Sequence, residues 1–519
     1  MSDLQKQRLG ILWFRNDLRL NDNLSLDKTI HLVKEKKLDL VLPIYCFDKL
    51  LFEGRSREAQ LPKLGPFRRN FLIESVENLK EKLQKKLNSN LCILYGEQDV
   101  EIKKLIEKIL TENPGIHIEY LIASREVPSD EVDLENKVKK YLDSKRIKNF
   151  FLWDNLMIHP DDLPFGHFSK TPDMFTQFRK SVELKESNYN VRKSVQIESN
   201  FSLPTFSQND IVGQSIPEKA KITESPKSAI LGMKGGEDQA ELRMQQYFFK
   251  TDGLFKYKTT RNGLVGTEYS SKLSMWLALG CISPRYLYWK VKEFETMKCS
   301  NESTKCLAFE LLWRDFFKYH SLKFGKRIFY QNGCYTGAAG YQMNWKKDQR
   351  LFEKWINGET GYPFVDANMK ELKETGWMSN RGRQNVASFL TKDLEIDWRF
   401  GAEYFETMLI DYDCTSNWGN WQYVAGVGTD PRADRYFNVI KQAYDYDQNG
   451  EFVKLWIPAL QNVSDEFVHC PFRMSLVEQK SFNCILNKDY PLPIVQMKHK
   501  WNPYSNKANK FAARQKRAK

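Results

Sequence analysis

The run Leu9-Gly10-Ile11-Leu12-Trp13-Phe14 (LGILWF, 9–14) is short, apolar and closed by charge, and four more of its kind follow it: LDLVLPIYCF (38–47), LCILYG (91–96), HIEYLIAS (117–124) and NFFLWD (149–154). Apolar runs of this length, rich in β-branched and aromatic residues, read as buried strands. The segments between them carry a helical period instead. In one of them Phe67, Phe71/Leu72, Val76, Leu79 and Leu83 recur at three- to four-residue intervals with Arg, Glu and Lys in the gaps, which lays one apolar stripe against a sheet. Five strands alternating with helices predict a parallel, doubly wound α/β domain over residues 8–154. The first strand leads into RNDLRLNDN (15–23) rather than GxGxxG, and no GxxxxGK[ST] occurs, so neither a dinucleotide fingerprint nor a phosphate loop is expected.

Outward from that domain the character changes. Residues 155–235, with HPDDLPFGHF, SLPTFSQND and IPEKAKITESPKSAI, are rich in Pro, Ser, Asn and Lys and lack sustained periodicity; they predict a long connector running over the surface. From Gly236 to about 495 helical signals dominate: EDQAELRMQQYFF, SSKLSMWLALG, a Ser283-Pro284 start, KCLAFELLWRDFFKYHSLKFG, GYPFVDANMKELKETG, VASFLTKDLEI, GAEYFETMLID and ADRYFNVIKQAYDY. An all-helical second domain is expected over 236–495, holding most of the Trp, and then a basic tail over 496–519 ending KANKFAARQKRAK.

Lys and Arg number 79 against 66 Asp and Glu, a difference of +13, which favours a polyanionic partner such as nucleic acid. The nine Cys are scattered singly with no CxxC pair, against a disulfide scaffold or a zinc finger and with no metal site expected. No run approaches the ~18–20 apolar residues of a membrane span, and the run at 9–14 begins too early to leave room for a signal or transit peptide. An intracellular protein of cytoplasm or nucleus is expected, without membrane attachment.

Two clusters carry possible chemistry. Ser270-Ser271-Lys272-Leu273-Ser274 opens a predicted helix, where hydroxyls and unsatisfied N–H groups suit a phosphate, and Tyr257 and Arg261 just upstream add a ring and a cation. The second is Trp377-Met378-Ser379-Asn380-Arg381-Gly382-Arg383-Gln384-Asn385, followed later by Asp411, Asp413 and Asn417 in the loop-like LIDYDCTSNWGNW. Two acids, two Arg and several amides in a Trp-rich domain need partners if buried. A large polar heteroaromatic ligand would supply them, with an amide able to bond a ring nitrogen that gains a proton on reduction.

WFRNDLRLNDN, EYSSKLSMWLALGCISPR, ELLWRDFF, GYPFVDA, WMSNRGRQN, LTKDLEIDWR, LIDYDCTSNWGNWQYVAGVGTDPRADRYFNV and NGEFVKLW together resemble the photolyase/cryptochrome flavoprotein family over residues 8–495. GGE (235–237), SNRGRQN and NWGNWQYVAGVGTDPR are most similar to its DASH-type branch. The resemblance implies a Rossmann-like antenna domain and a helical domain that folds FAD into a U. It assigns Tyr257, Arg261, Ser270, Ser271, Leu273 and Ser274 to the phosphates and ribityl chain. Arg314, Asn380, Arg383, Asp411, Asp413 and Asn417 would surround the isoalloxazine and its bridge to adenine, with Asn417 at flavin N5. Trp421, Trp398 and Trp345 match the family's electron relay, in that order from flavin to surface.

The same resemblance implies that Glu310 and Trp313 face a DNA lesion as acid and stacking ring. Two departures from dimer photolyases outside this branch concern that cavity: Gln384 stands where they carry Met, and Tyr423 where they carry Trp. Both replace apolar contact with polar groups and reduce the gain from burying an extruded base, which suits a dimer in a single strand. Ser379 stands where enzymes acting on the pyrimidine–pyrimidone photoproduct carry His, and disfavours that chemistry. Glu126, after the fourth strand, resembles the acid that binds a folate antenna, 5,10-methenyltetrahydrofolate. The implied function is a monomeric, blue-light-driven deoxyribodipyrimidine photo-lyase that repairs cyclobutane pyrimidine dimers in single-stranded DNA by electron transfer from reduced FAD, with RNA or duplex DNA as weaker partners. The alternative is a blue-light photoreceptor with little repair activity; the short tail after 495 favours repair, because signalling members carry long extensions.

Overall fold

The computed structural model describes residues 6–184, 188–198, 201–207, 216–221, 232–334, 344–430 and 435–498. The basic tail from residue 499 onward, and parts of the connector, lie outside these described residues. Strands β1 (Gln7–Phe14), β2 (Leu40–Asp48), β3 (Cys92–Gly96), β4 (Ile116–Ser124) and β5 (Lys148–Leu152) coincide with the five apolar runs. They pair in the order β3-β2-β1-β4-β5, every pair parallel. The inner strands β1, β2 and β4, largely buried on both faces, read as continuous apolar runs rather than alternating ones, and that is why the sequence shows them plainly.

The helices are α1 (Leu24–Lys34), α2 (Lys49–Glu53), α3 (Pro66–Leu87), α4 (Gln98–Glu112), α5 (Ser129–Ser144), α6 (Phe175–Val182), α7 (Glu237–Gln245), α8 (Gly253–Thr260), α9 (Ser274–Ala278), α10 (Pro284–Met297), α11 (Glu302–Phe324), α12 (Gln349–Ile356), α13 (Pro363–Thr375), α14 (Asn380–Ser388), α15 (Trp398–Met408), α16 (Cys414–Ala425), α17 (Val439–Tyr446), α18 (Glu451–Trp456) and α19 (Leu476–Ser481). The chain groups into two compact units. One comprises Met1–Thr259, Ser271–Tyr330 and Phe405–Gly419; the other comprises Thr260–Ser270, Gln331–Tyr404 and Asn420–Lys519.

In the first unit, Leu9, Ile11, Trp13, Leu42, Ile44 and Leu121 of the sheet pack with Ile102, Ile106 and Ile109 of α4 and Val138 and Leu142 of α5. Full burial of each such side chain stabilises by about 1.5–3 kcal/mol. The predicted stripe of α3 is buried along its whole length. Helix α10 starts as its Ser-Pro pair implies: the Ser283 hydroxyl accepts from the N–H groups of Arg285 and Tyr286, and Pro284 takes the first position. The loop between β1 and α1 is fixed by buried charge. Arg19 donates to Asp154 Oδ2 at 2.6 Å and to the carbonyl of Gly280 at 2.9 Å, and Arg285 reaches Asp154 Oδ1 at 3.0 Å. Gly280 sits at φ +65°, and a Cβ there would lie 1.9 Å from the Asn16 carbonyl oxygen, so only glycine fits.

Two expectations are corrected. The connector is not solely a surface strap, because Phe175 and Phe178 of α6 are buried against Phe309, Phe316 and Tyr319 of α11; their isolated aromatic pattern was too short to register as a helix. LIDYDCTSNWGNW is not a loop throughout: from Cys414 it is helix α16. Its Asn, Gly and Ser lower helix propensity, and Gly419 is required because a Cβ there would meet the Phe317 ring at 2.2 Å.

Candidate functional site

The first unit gathers several expected flavin contacts. Residues 270–273 precede α9, which begins only at Ser274, so the expected helix opens four residues late. Lys272 takes φ +58°, and Arg243 Nε donates to the Ser271 carbonyl at 3.0 Å, turning the segment tightly. Ser271 and Leu273 are buried, as is Tyr257 of α8. Ser274 donates its hydroxyl to Asp411 Oδ2 at 2.8 Å. On α11, Glu310, Trp313 and Arg314 stand at i, i+3 and i+4 and so share one face. Arg314 donates to the carbonyls of Asn155 at 2.8 Å and Leu277 at 3.1 Å, which holds its guanidinium rigidly.

Lys318, one further turn along α11, was not singled out from sequence. Its ammonium lies 3.7 Å from Asp413. Burial alone would raise the Asp413 carboxyl, but Lys318 and Arg314, with the Ser416 N–H and the Thr415 hydroxyl, outweigh it and hold the group well below the ordinary carboxylate range. Asp413 is therefore an anion at every physiological pH. Asn417, buried on α16, donates its N–H to the Asp413 carbonyl at 2.8 Å. Two carboxylates, a fixed guanidinium, a buried amide and hydroxyls form the donor and acceptor set that a flavin's imide, ring nitrogens and ribityl chain require. The residues fit FAD.

Trp313 is packed among neighbouring rings. Phe175 lies parallel to it, centroids 3.5 Å apart and planes 8° apart, while Phe309 and Phe316 meet it edge-on. Phe317 packs on the indole as well, tilted 32° with centroids 5.5 Å apart. Glu126 follows β4 and is buried, with the Asn16 N–H 3.4 Å from its Oε1. This contact links the ends of β1 and β4, where the strand order reverses, the place where α/β sheets bind ligands. Burial raises the Glu126 carboxyl above its ordinary value against the pull of Arg15 and Lys318.

The second unit carries the rest. Ser379 caps α14, its hydroxyl accepting from the Gly382 N–H at 3.0 Å, and Asn380 follows it, exposed. Arg383 donates Nε to the Met378 carbonyl at 2.9 Å and lies over the Trp377 ring. The 260–270 segment joins this helix: Trp377 donates to the Tyr269 hydroxyl at 3.2 Å, and Arg381 to Asn262 Oδ1 at 3.2 Å. Arg261 and Ser270 are half-buried within that segment. Gln384 accepts from Arg381 at 2.9 Å and Tyr423 from Arg435 at 2.8 Å.

Trp398 and Trp421 are buried and Trp345 is half-buried. The tip of the Trp421 ring lies 2.1 Å from where a Cβ on Gly401 would stand, one turn along α15 from Trp398. Trp398 donates Nε1 to the Gln331 carbonyl at 3.0 Å. Residue 346 pairs with the 395–397 backbone, drawing Trp345 to the segment that leads into Trp398. Trp355, unremarked in the sequence, packs edge-on against Trp421 with centroids 6.3 Å apart. Among the described residues no group of His, Cys, Asp and Glu could hold a metal ion, and no helix is long and apolar enough to cross a membrane.

Comparison with known proteins agrees with this geometry. A family model described as "DNA photolyase" matches residues 10–195, and one described as "FAD binding domain of DNA photolyase" matches 307–509. A protein named cryptochrome DASH from Xenopus laevis is 42% identical over 502 residues, covering 96% of this chain and 92% of its own. The crystal structure of a Synechocystis cryptochrome superposes with a TM-score of 0.85 at 41% identity, covering 95% of this chain and 97% of that one. A class III photolyase from Agrobacterium tumefaciens gives 0.78 at 26% identity, over 99% and 98% of the two chains.

Proposed function

Because this chain belongs to the photolyase/cryptochrome family, in its cryptochrome DASH branch, and carries the family's FAD-binding domain, we propose that it repairs cyclobutane pyrimidine dimers in single-stranded DNA under blue light. Reduced FAD, when bound, would supply under blue light one electron for cleavage of the two cyclobutane C–C bonds and take it back, so that no net oxidation would occur. The protein's part is to bind, orient and exclude water.

The observation that carries the reading is the face of α11. Glu310, Trp313 and Arg314 line up on it, Phe175 braces the indole, and Lys318 fixes the anion Asp413 one turn away. The acid bonds the base, the ring stacks on it and the cation side holds the flavin. Arg314, Asp411, Asp413 and Asn417, with Ser271, Leu273 and Ser274, would hold FAD in the first unit; in the second unit, Arg261, Ser270, Asn380 and Arg383 are the remaining expected contacts. Trp345, Trp398 and Trp421 would bring electrons in from the surface. Gln384 and Tyr423 offer polar groups where apolar ones would repay burial of a base, so extruding a paired base costs more than it returns, while a single strand has no pairing to break. The +13 charge supports salt-sensitive binding with little sequence preference. The buried carboxyl of Glu126 at the end of β4, beside Asn16, supports binding of 5,10-methenyltetrahydrofolate as antenna through its 2-amino-4-oxo edge.

The test compares holoprotein with flavin-stripped protein on an ultraviolet-irradiated single-stranded oligothymidylate. Dimers should disappear only with flavin and light together. Loss in the dark, or none in light, would refute the reading.

A further inference from the structure

The hydrogen bond between Arg381 and Gln384 has a direction that chemistry fixes. An arginine has only donors, so the Gln384 amide must turn its oxygen to Arg381 Nη1, at 2.9 Å, and its NH2 the other way. Arg381 is itself held. Nη2 donates to Asn262 Oδ1 at 3.2 Å and the guanidinium lies 4.4 Å from the Tyr446 ring centroid. Both residues are half-buried on α14, three positions apart. The NH2 group donates to no acceptor among the described residues, and so it is available to a ligand. The Tyr423 hydroxyl also accepts from an arginine, Arg435, whose guanidinium pairs with Asp430.

We infer that Arg381 is a positioning residue that presents Gln384 as an oriented hydrogen-bond donor to a carbonyl oxygen of the pyrimidine substrate. The inference rests on the dimer-repair reading above, in which Gln384 faces the substrate. While the transferred electron resides on the pyrimidine, negative charge gathers on its ring carbonyl oxygens. A donor already aimed there stabilises the charged state more than the neutral one, and so accelerates the bond-breaking step rather than tightening binding. Gln384 is then not merely a less apolar stand-in for Met. It exchanges burial energy for charge stabilisation.

The test uses pre-reduced holoprotein and a single-stranded oligonucleotide bearing one thymine dimer. Repair per absorbed photon is measured at saturating substrate, and affinity is measured in the dark. Gln384→Met and Gln384→Glu should each lower repair per photon roughly fivefold, the worth of about one hydrogen bond, while dark affinity for Gln384→Met becomes no weaker than the original, because Met restores apolar burial. Arg381→Met should lower repair per photon to the same extent, and the Arg381→Met/Gln384→Met double variant no further, because the two act as one device. Arg381→Lys, which keeps a donor, should restore part of the loss. Flavin absorbance and melting temperature verify that each variant folds. Unchanged repair per photon in Gln384→Met, or independent losses that multiply in the double variant, would overturn the inference while leaving the repair reading intact. A parent protein that repairs nothing would overturn both.

Discussion

Ser274 and Asp411 meet at 2.8 Å across 137 residues of chain, the hydroxyl at the start of α9 donating to a carboxylate just before α16. This bond ties the turn that would receive the flavin's phosphates to the acid that would receive its ring or adenine bridge. Ser274→Ala should therefore weaken FAD binding roughly fivefold, about one hydrogen bond, with a stability change near 1 kcal/mol. Titration of stripped protein followed by flavin fluorescence measures it, and unchanged affinity would place FAD elsewhere.

Gly401 leaves room for the Trp421 ring and nothing more. Gly401→Ala inserts a methyl group at the ring's edge, which should cost about 1–3 kcal/mol and displace the indole. Photoreduction of bound flavin should slow, as it should in Trp421→Phe, while repair by chemically pre-reduced protein continues. Flash absorption on both variants checks this; equal loss of photoreduction and repair would remove Trp421 from the relay.

Asp17 is fully buried beside Asp154, and that burial, with the neighbouring charge, pushes its carboxyl up to about 7 against the Arg15 N–H and Arg19. In an unfolded chain it titrates near ~3.9. Folding favours the protonated form, so its contribution is complete below about pH 4 and is lost as pH rises to 7. The parent protein should lose about 2–4 °C of melting temperature per kcal/mol over that window, and Asp17→Asn should flatten the profile even if it starts lower. A parent profile unchanged from pH 5 to pH 8 would contradict this.

Phe175 braces Trp313, and Phe175→Leu removes the stacked ring. Stability should fall by about 1–2 kcal/mol and KM for a dimer-bearing strand should rise, while flavin content stays as it was. A fall in flavin content instead would show that the pair supports the cofactor.

The inner strands were legible because burial on both faces writes them as unbroken apolar runs, and α3 and α10 because stripe and cap are local signals. Helix α16 was not, because Asn417 and Gly419 are chosen for what they touch rather than for helix propensity. Within the site, residue types in motifs were readable, but pairings were not. Lys318 carries no mark in the sequence that it neutralises Asp413, Phe175 lies in a stretch whose periodicity is too short to read, and the grip of Arg381 on Gln384 appears only when α14 is built.

The central claim is tested most directly by light-dependent dimer repair with pre-reduced protein on matched single-stranded and duplex oligonucleotides. Repair confined largely to the single strand is the expected result, since Gln384 and Tyr423 leave too little apolar burial to offset breaking a base pair. Equal repair of both strands would contradict the role given to those two residues, and repair of neither would contradict the function itself.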